Sequence, residues 1–328
     1  MSFDSTVVKN LVKSTAESDA VLPAEPDASG PRRGLFFLAV TGLAWGTTGA
    51  AAAIVYRVGD LGPVAVSFWR NLGGLALLLA FTAVRPVRAR PATRRPLRGR
   101  AALLGGVGLG MAVFQTAYFA AVEATGVAVA TLLTLGSGPI LTAVGARLLL
   151  GERVGRGGTF AVAGALAGLG VLVGGNGLSL VDPAGIGLSL LSAAGYAVVT
   201  LLGRLTGRRA DAEHPFTLTL WSFGIGAVLL AVPAWFEGLL PQPEDALRTF
   251  AVIAYLAAFA TALAYPLYFA GAARVRAATV AVMMLLEPVT AAALAVSVLG
   301  EPLTVATVAG SLVLLGSIAA LAVAESRR

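Results

Sequence analysis

Glu287 is the side chain in this sequence best placed to do chemistry. It lies deep in the apolar run LLEPVTAAALAVSVLG (285–300) and is followed at once by Pro288. An acid at the centre of an apolar helix that crosses a bilayer costs ~2.5–3.5 kcal/mol on insertion scales. Its presence therefore asks for a role, such as holding a proton or the cationic group of a bound molecule. A proline inside a helix also frees a backbone carbonyl that can line a cavity. The alternative is a structural bend whose glutamate bonds a neighbouring helix. Arg70, within FWRN (68–71), comes next. A guanidinium matches a carboxylate bidentately. The blander expectation, which the sequence favours, places Arg70 near the outer interface against an acid or a helix end, reached by its long stem.

Much other chemistry is absent from the composition. There is no cysteine, so no thiolate metal site, Cys nucleophile or disulfide framework is available. One histidine, His214, gives poor support to a metal cluster or a Ser-His-Asp relay. Lys9 and Lys13 are the only lysines and both sit near the N-terminus, which removes an intramembrane Schiff base. No G-x-x-x-x-G-K-[ST] run exists, so ATP hydrolysis by this chain is not expected. GGVGLG (105–110) has the wrong spacing for a dinucleotide fingerprint. With Gly164 and Gly168, it reads instead as small-xxx-small helix packing.

The elements that must position these residues are membrane helices. Of the 328 residues 57% are hydrophobic and 12% charged, where a soluble domain carries about a quarter charged. Apolar runs of ~18–24 residues, the length that crosses ~30 Å of hydrocarbon, occur at 34–56, 63–84, 101–122, 127–149, 158–175, 184–203, 215–236, 249–270, 278–299 and 303–323. These are spans one to ten. The expected fold is an all-α membrane protein. Residues 1–33, with three prolines and no apolar core, read as an uncleaved, disordered cytoplasmic tail.

Orientation follows from charge. With the N-terminus inside, 21 of the 24 Lys and Arg fall on the cytoplasmic side, only Arg57 and Arg248 fall outside, and Arg70 lies within span two. Asp60, Glu123, Asp182, Glu237, Glu244, Asp245 and Glu301 gather on the outer side. Both termini are expected in the cytoplasm, in a multi-pass protein of the plasma (cytoplasmic) membrane. The basic stretch 85–100 then reads as a topology determinant on the cytoplasmic leaflet and not as a nucleic-acid site.

The chain repeats itself. Pro63, Trp69 and Gly74 recur as Pro215, Trp221 and Gly226 at an offset of 152, Tyr118-Phe119-Ala120 as Tyr268-Phe269-Ala270 at 150, and Pro139, Gly151 and Glu152 as Pro288, Gly300 and Glu301 at 149. Each half (34–175 and 184–323) holds five spans, and an odd number inverts the second copy. Inverted halves give two exchangeable packings, one open to each side. Across the repeat Trp45 corresponds to Tyr196 and Gln115 to Tyr265, while Glu287 corresponds to Gly138. Aromatic or amide groups at matching mid-span positions suit a central cavity, with helix packing as the alternative. Tyr118, Thr48, Ser137, Met283 and Met284 are weaker lining candidates. Glu152 and Glu301 each follow a glycine that ends a helix and are expected in the turn, favouring the first turn of the next helix.

AWG (44–46), FWRN (68–71), YFAAVEATGVAVATLL (118–133), LLLGERV (148–154) and LLEPVTAAALAVSVLGEPLT (285–304) together resemble the EamA-type branch of the drug/metabolite transporter superfamily. The resemblance implies ten helices in two inverted five-helix repeats around a substrate cavity. It also implies a membrane transporter of amino acids, other metabolites or drugs. On this reading Trp45, Gln115, Tyr118, Tyr196, Tyr265 and Glu287 bind the solute, with Arg70, Thr48, Ser137 and Met284 as possible supports and Glu287 as the proton-coupling group. No cofactor or metal is expected, and the partners are a small solute and the bilayer. The rivals are an intramembrane enzyme, which would want paired acids or a metal site, and an accessory subunit, which leaves the inverted repeat without a purpose.

Overall fold

The computed structural model describes residues 29–84, 97–150, 163–164, 166–168, 170–171, 182–207, 215–275, 277–302 and 304–326. Every regular element among them is a helix. Span one is α1 (Ser29–Gly46) and α2 (Thr48–Val58), parted at Thr47. Spans two, three and four are α3 (Pro63–Val84), α4 (Leu97–Thr125) and α5 (Val127–Leu150). Spans six and seven are α6 (Pro183–Gly207) and α7 (Pro215–Glu237). Span eight is α8 (Ala246–Ala257), a π-helical segment Ala258–Leu263, and α9 (Ala264–Ala272). Span nine is α10 (Ala277–Met284) and α11 (Leu286–Ser297), and span ten is α12 (Val305–Ser326).

Seven helical segments among the described residues are long and apolar enough to cross a membrane, and two shorter apolar helices, Val282–Ser297 and Val305–Ser317, follow them. The fifth expected span, 158–175, lies mostly outside the described residues. So do Glu152, His214, nearly all of the tail and most of the basic stretch 85–100. The first helix begins at Ser29, a few residues before the expected end of that tail.

The strongest packing joins one half of the chain to the other. Span six runs along spans three and four, span seven along spans two and three, and span one along spans eight and nine. Glycines set the closest approaches. A Cβ on Gly195 would lie 2.7 Å from the carbonyl oxygen of Gly110, so spans three and six cross backbone to backbone. Gly168 meets span ten in the same way, 2.9 Å from the Gly310 carbonyl oxygen. These contacts bear out the packing role expected from the spacing of both glycine pairs.

The core is concentrated toward the end of the bundle where the acidic loops lie. Ala51, Ala52 and Val55 of α2, Ala65 and Val66 of α3, Phe119 of α4, Ala234 of α7 and Leu256 of α8 form one buried cluster. Ala121, Val127, Ala130, Ala291 and Ala295 form a second beside it. Alanines dominate the second cluster and let its helices pack closely, while in the first they sit among larger side chains such as Phe119, Ile253 and Leu256. Hydrogen bonds reinforce this end. Arg57 Nη2 donates to the Leu299 carbonyl (2.8 Å), Trp69 Nε1 to the Leu239 carbonyl (2.7 Å), and the Gln242 amide to Asp60 (3.1 Å). Each bond crosses from one half to the other.

Candidate functional site

Three helix interruptions converge on one region of the bundle, and each has a physical cause. In span nine, Pro288 has no N–H to give the Met284 carbonyl, and its ring crowds that carbonyl. The helix breaks at Leu285, whose amide bonds only three residues back, to the Val282 carbonyl (3.1 Å). Glu287 then sits in the first turn of α11, where the positive end of the new helix favours a carboxylate. In span eight, the π segment holds an extra residue per turn and leaves carbonyls out of the α-ladder. The indole Nε1 of Trp45 donates to one of them, Ala260, at 3.1 Å. In span one, the Thr47 hydroxyl bonds the Ala44 carbonyl (2.7 Å) and the Tyr255 hydroxyl (2.7 Å), tying the junction of α1 and α2 to span eight.

Around these breaks the side chains form an aromatic cluster. Trp45 lies edge-on to Tyr265 at 5.1 Å and tilted against Tyr268 at 5.3 Å, and Tyr265 is edge-on to Phe223 at 5.4 Å. Such spacings lie within the favourable range for aromatic pairs. Trp45, Tyr265, Tyr268 and Glu287 are all half-buried. Glu287 is in electrostatic range of Arg70, Tyr118, Tyr265 and Tyr268. Helix α1 reaches Glu287 by its glycines: a Cβ on Gly46 would stand 2.7 Å from the Glu287 carbonyl oxygen.

Arg70 is corrected from interfacial to interior. Its side chain is 5% exposed, its Nε donates to the Thr261 hydroxyl of the π segment (3.2 Å), and its guanidinium lies 5.5 Å from the Phe119 ring centre. Depth along span two did not reveal that this face of the helix turns toward span eight. Gly74, one turn on, lets Thr261 approach: a Cβ there would meet the Thr261 methyl at 2.5 Å.

The other expected residues divide. Tyr118 bonds the Thr131 hydroxyl (2.8 Å) on α5. Tyr196 packs on Phe114 (5.6 Å) and covers Gly138. Gln115 is buried, and among the described residues neither its amide nitrogen nor its oxygen has a hydrogen-bond partner. The Thr48 and Ser137 hydroxyls are likewise buried and without a partner among the described residues. Such groups are exceptions to the rule that buried polar atoms are bonded. Met283 and Met284 end α10 half-buried beside the break. Thr261, Phe119, Tyr268 and Phe223 were not expected at the site. Tyr268 and Phe119 had a sequence signal, as members of the repeated Tyr-Phe-Ala triplet. Among the described residues no group of three His, Cys, Asp or Glu could hold a metal.

Residues 32–174 and 183–323 each match the EamA-like transporter family. The chain belongs to this family. Its two matched segments coincide closely with the two halves read from the internal repeat, so the resemblance first carried by the GE turns and FWRN is borne out. A chain of Bacillus subtilis (strain 168), described as the uncharacterized transporter YwfM, is 29% identical over 257 residues, covering 77% of this chain and 81% of that one. A solved structure titled "Crystal structure of protein" superposes with a TM-score of 0.58 at 21% identity, over 92% of this chain and 98% of that one. It shares the fold. The protein is thus a multi-pass membrane protein of a transporter family.

Within this EamA-like fold the expectation for Glu301 is corrected. Gly300, at φ +70°, ends span nine as expected, but the Glu301 carboxylate does not serve the next helix. It accepts from the amides of Val127 and Ala128 at the start of α5. A turn-forming sequence carries no sign of a partner 174 residues away.

Proposed function

We propose that this protein is a secondary transporter that exports small organic metabolites, amino acids first among them, by alternating access across the plasma membrane. One observation carries the reading. Arg70 comes from the first half and Glu287 from the second, and the two opposite charges are in electrostatic range of each other and of Tyr265, a member of the aromatic cluster. Arg70 spends its Nε on Thr261, which leaves Glu287 free to meet a ligand. A zwitterion suits such a pair: its carboxylate toward the guanidinium, its ammonium toward Glu287, and its side chain against Trp45, Tyr265 and Tyr268. The interrupted backbones beside the site are the arrangement that transporters use at the bilayer midplane.

Glu287 is also the coupling group in this reading. Protonation from one side and release to the other would compete with the substrate amine for the same carboxylate. The test is exchange and gradient-driven uptake of radiolabelled amino acids in proteoliposomes, with N-acetyl and ester analogues as competitors. Zwitterions should compete and both blocked analogues should not. Glu287→Gln should lose pH-gradient-driven accumulation yet keep solute-for-solute exchange at solute concentrations raised to offset the weaker binding. Equal competition by the free amine and the ester favours a second reading, cation or drug efflux, for which the aromatic cluster supplies cation–π contacts. A Gln variant that still responds fully to the gradient makes the protein an uncoupled facilitator. Orientation is tested separately: single cysteines at Asp182 and Glu244 should label from outside intact cells, and those at Thr93, Arg208 and Arg274 should not.

A further inference from the structure

Two glutamates on the acidic face are placed where their own helices gain nothing from them. Glu237 is the last residue of α7, and a negative charge is unfavourable at a helix C-terminus. Glu301 follows the last turn of span nine. Each instead serves a helix of the other half. Glu237 accepts from the Val64 amide (3.2 Å) and the Ala65 amide (2.6 Å) at the start of α3. Glu301 accepts from the Val127 amide (2.7 Å) and the Ala128 amide (3.1 Å) at the start of α5. Both bonds use the N–H groups that a helix start leaves without partners.

The same device is built twice, down to the residue that makes room for it. Gly62 precedes α3, and a Cβ there would stand 2.5 Å from Glu237 Oε1. Gly126 precedes α5, and a Cβ there would stand 2.9 Å from Glu301 Oε1. Glycine and glutamate are each 64 residues on in the second instance. In both cases the carboxylate belongs to the second half and the helix start to the first. Span two is joined to its repeat partner span seven, and span four to its repeat partner span nine.

Glu237 is exposed and Glu301 half-buried, so each carboxylate regains water when it leaves, while Ala65, Val127 and Ala128, whose amides they hold, are buried residues. Breaking a cap therefore costs free energy until water reaches those amides, which biases the mouth toward the capped state. The other cross-half bonds at this end, Arg57 to the Leu299 carbonyl, Trp69 to the Leu239 carbonyl and Gln242 to Asp60, are single contacts that do not recur at equivalent repeat positions, and deeper between the halves glycines hold backbone against backbone. We propose that Glu237 and Glu301 are the paired latches of a gate on the acidic face, and that this mouth opens when both carboxylates leave the helix starts they cap. The proposal deepens the alternating-access reading and rests on it for the gate's purpose.

The test needs no substrate. The sequence has no cysteine, so Ala124→Cys and Glu244→Cys, one on each half of the acidic face, give a clean spin-label pair in nanodiscs. Glu237→Ala and Glu301→Ala should each raise the long-distance population about tenfold relative to the short one, the size of a lost cap, and together by more. Glu237→Gln/Glu301→Gln keeps side-chain shape, and Gly62→Ala displaces the first latch without touching a carboxylate. Both should open the mouth in the same direction if the alanine variants fold poorly. An unchanged distance distribution in the monodisperse double glutamine variant and in Gly62→Ala overturns the proposal. A mouth that opens in a protein showing no solute flux sinks the transport reading and leaves the gate standing.

Discussion

Spans three and four of the first half run unbroken, Leu97–Thr125 and Val127–Leu150, while their repeat partners, spans eight and nine, are interrupted at 258–263 and at Leu285. Proline alone does not make the difference. Pro139 lies inside an uninterrupted α5, and its counterpart Pro288 follows a break. What differs is the neighbourhood. On the first side Gly138 is roofed by the Tyr196 ring. On the second the matching position is Glu287, with glycines of α1 against its backbone and Trp45 reaching across to a carbonyl of the π segment. Duplication supplied two equivalent sets of helices. Of these two pairs, only spans eight and nine have backbone groups and a carboxylate released from helix duty, and the break in span one joins them at the common aromatic cluster.

The comparison breaks most visibly if the second half is made to resemble the first. Glu287→Gly installs the residue of the equivalent position. If the carboxylate holds a ligand ammonium, loss of one charge-assisted contact should weaken amino-acid binding by ~1.5–3 kcal/mol, roughly ten- to 150-fold, as read by calorimetry on purified protein. Arg70→Met should match that loss for amino acids and leave the binding of simple amines nearly unchanged. Binding of amines and amino acids that falls equally in both variants would separate Arg70 from the ligand.

A second contrast concerns the glycine seam. Gly46 meets Thr290 and the Glu287 carbonyl at 2.5–2.7 Å from a Cβ it lacks, whereas its repeat counterpart in span six, Ala197, carries one and is buried. Gly46→Ala should destabilise by about 1–3 kcal/mol through overpacking, visible as a lower unfolding temperature in detergent. Ala197→Gly should cost less, near the ~1 kcal/mol of glycine inside a helix. Equal losses would mean that spans one and nine can move apart without strain.

Hydropathy and the internal repeat made the frame of this molecule legible. Span two was read at its observed bounds, and spans four and seven to within a residue, because hydropathy reports directly on length in the membrane. The internal offsets paired Trp45 with Tyr196 and Glu287 with Gly138 because duplication preserves register. The π segment was not legible. It depends on tertiary partners, the Trp45 indole at Ala260 and Arg70 at Thr261, and AFATAL (258–263) has no local breaker. Arg70 was misplaced for a related reason: position along a span gives depth, and burial depends on which face meets a neighbour. The bonds of Glu237 and Glu301 were hidden because each joins residues more than 170 positions apart.

Smaller in effect is the hydrogen bond that holds the π segment. Trp45→Phe removes the donor to the Ala260 carbonyl and keeps an aromatic ring near Tyr265. The expected loss is about 0.5–1.5 kcal/mol, with faster amide exchange at 260–264. Tyr118→Phe, whose partner Thr131 joins two unbroken helices, should cost about as much in stability but leave exchange in span eight unaltered. An unchanged exchange pattern in both would mean that the π segment is held by packing alone.

Gly138→Ala should have the smallest effect, and it bears most directly on the asymmetry. A Cβ at this position would stand 3.2 Å from the Tyr196 ring, closer than ordinary contact by a few tenths of an ångström. Tyr196 is 42% exposed, so its ring has room to shift, and glycine-to-alanine inside a helix favours folding by up to ~1 kcal/mol. The two terms nearly cancel, so the unfolding temperature should hardly move. Ligand affinity is the sharper readout. If the site is carried by the second half, a displaced Tyr196 should change amino-acid affinity by less than about threefold, well under the loss expected from Trp45→Ala, whose cation–π and stacking contacts are worth roughly 0.5–2 kcal/mol. A Gly138→Ala effect as large as that of Trp45→Ala would place the ligand between the halves, touching both members of the Trp45–Tyr196 pair. The interrupted spans would then shape one wall of a symmetric site instead of owning it.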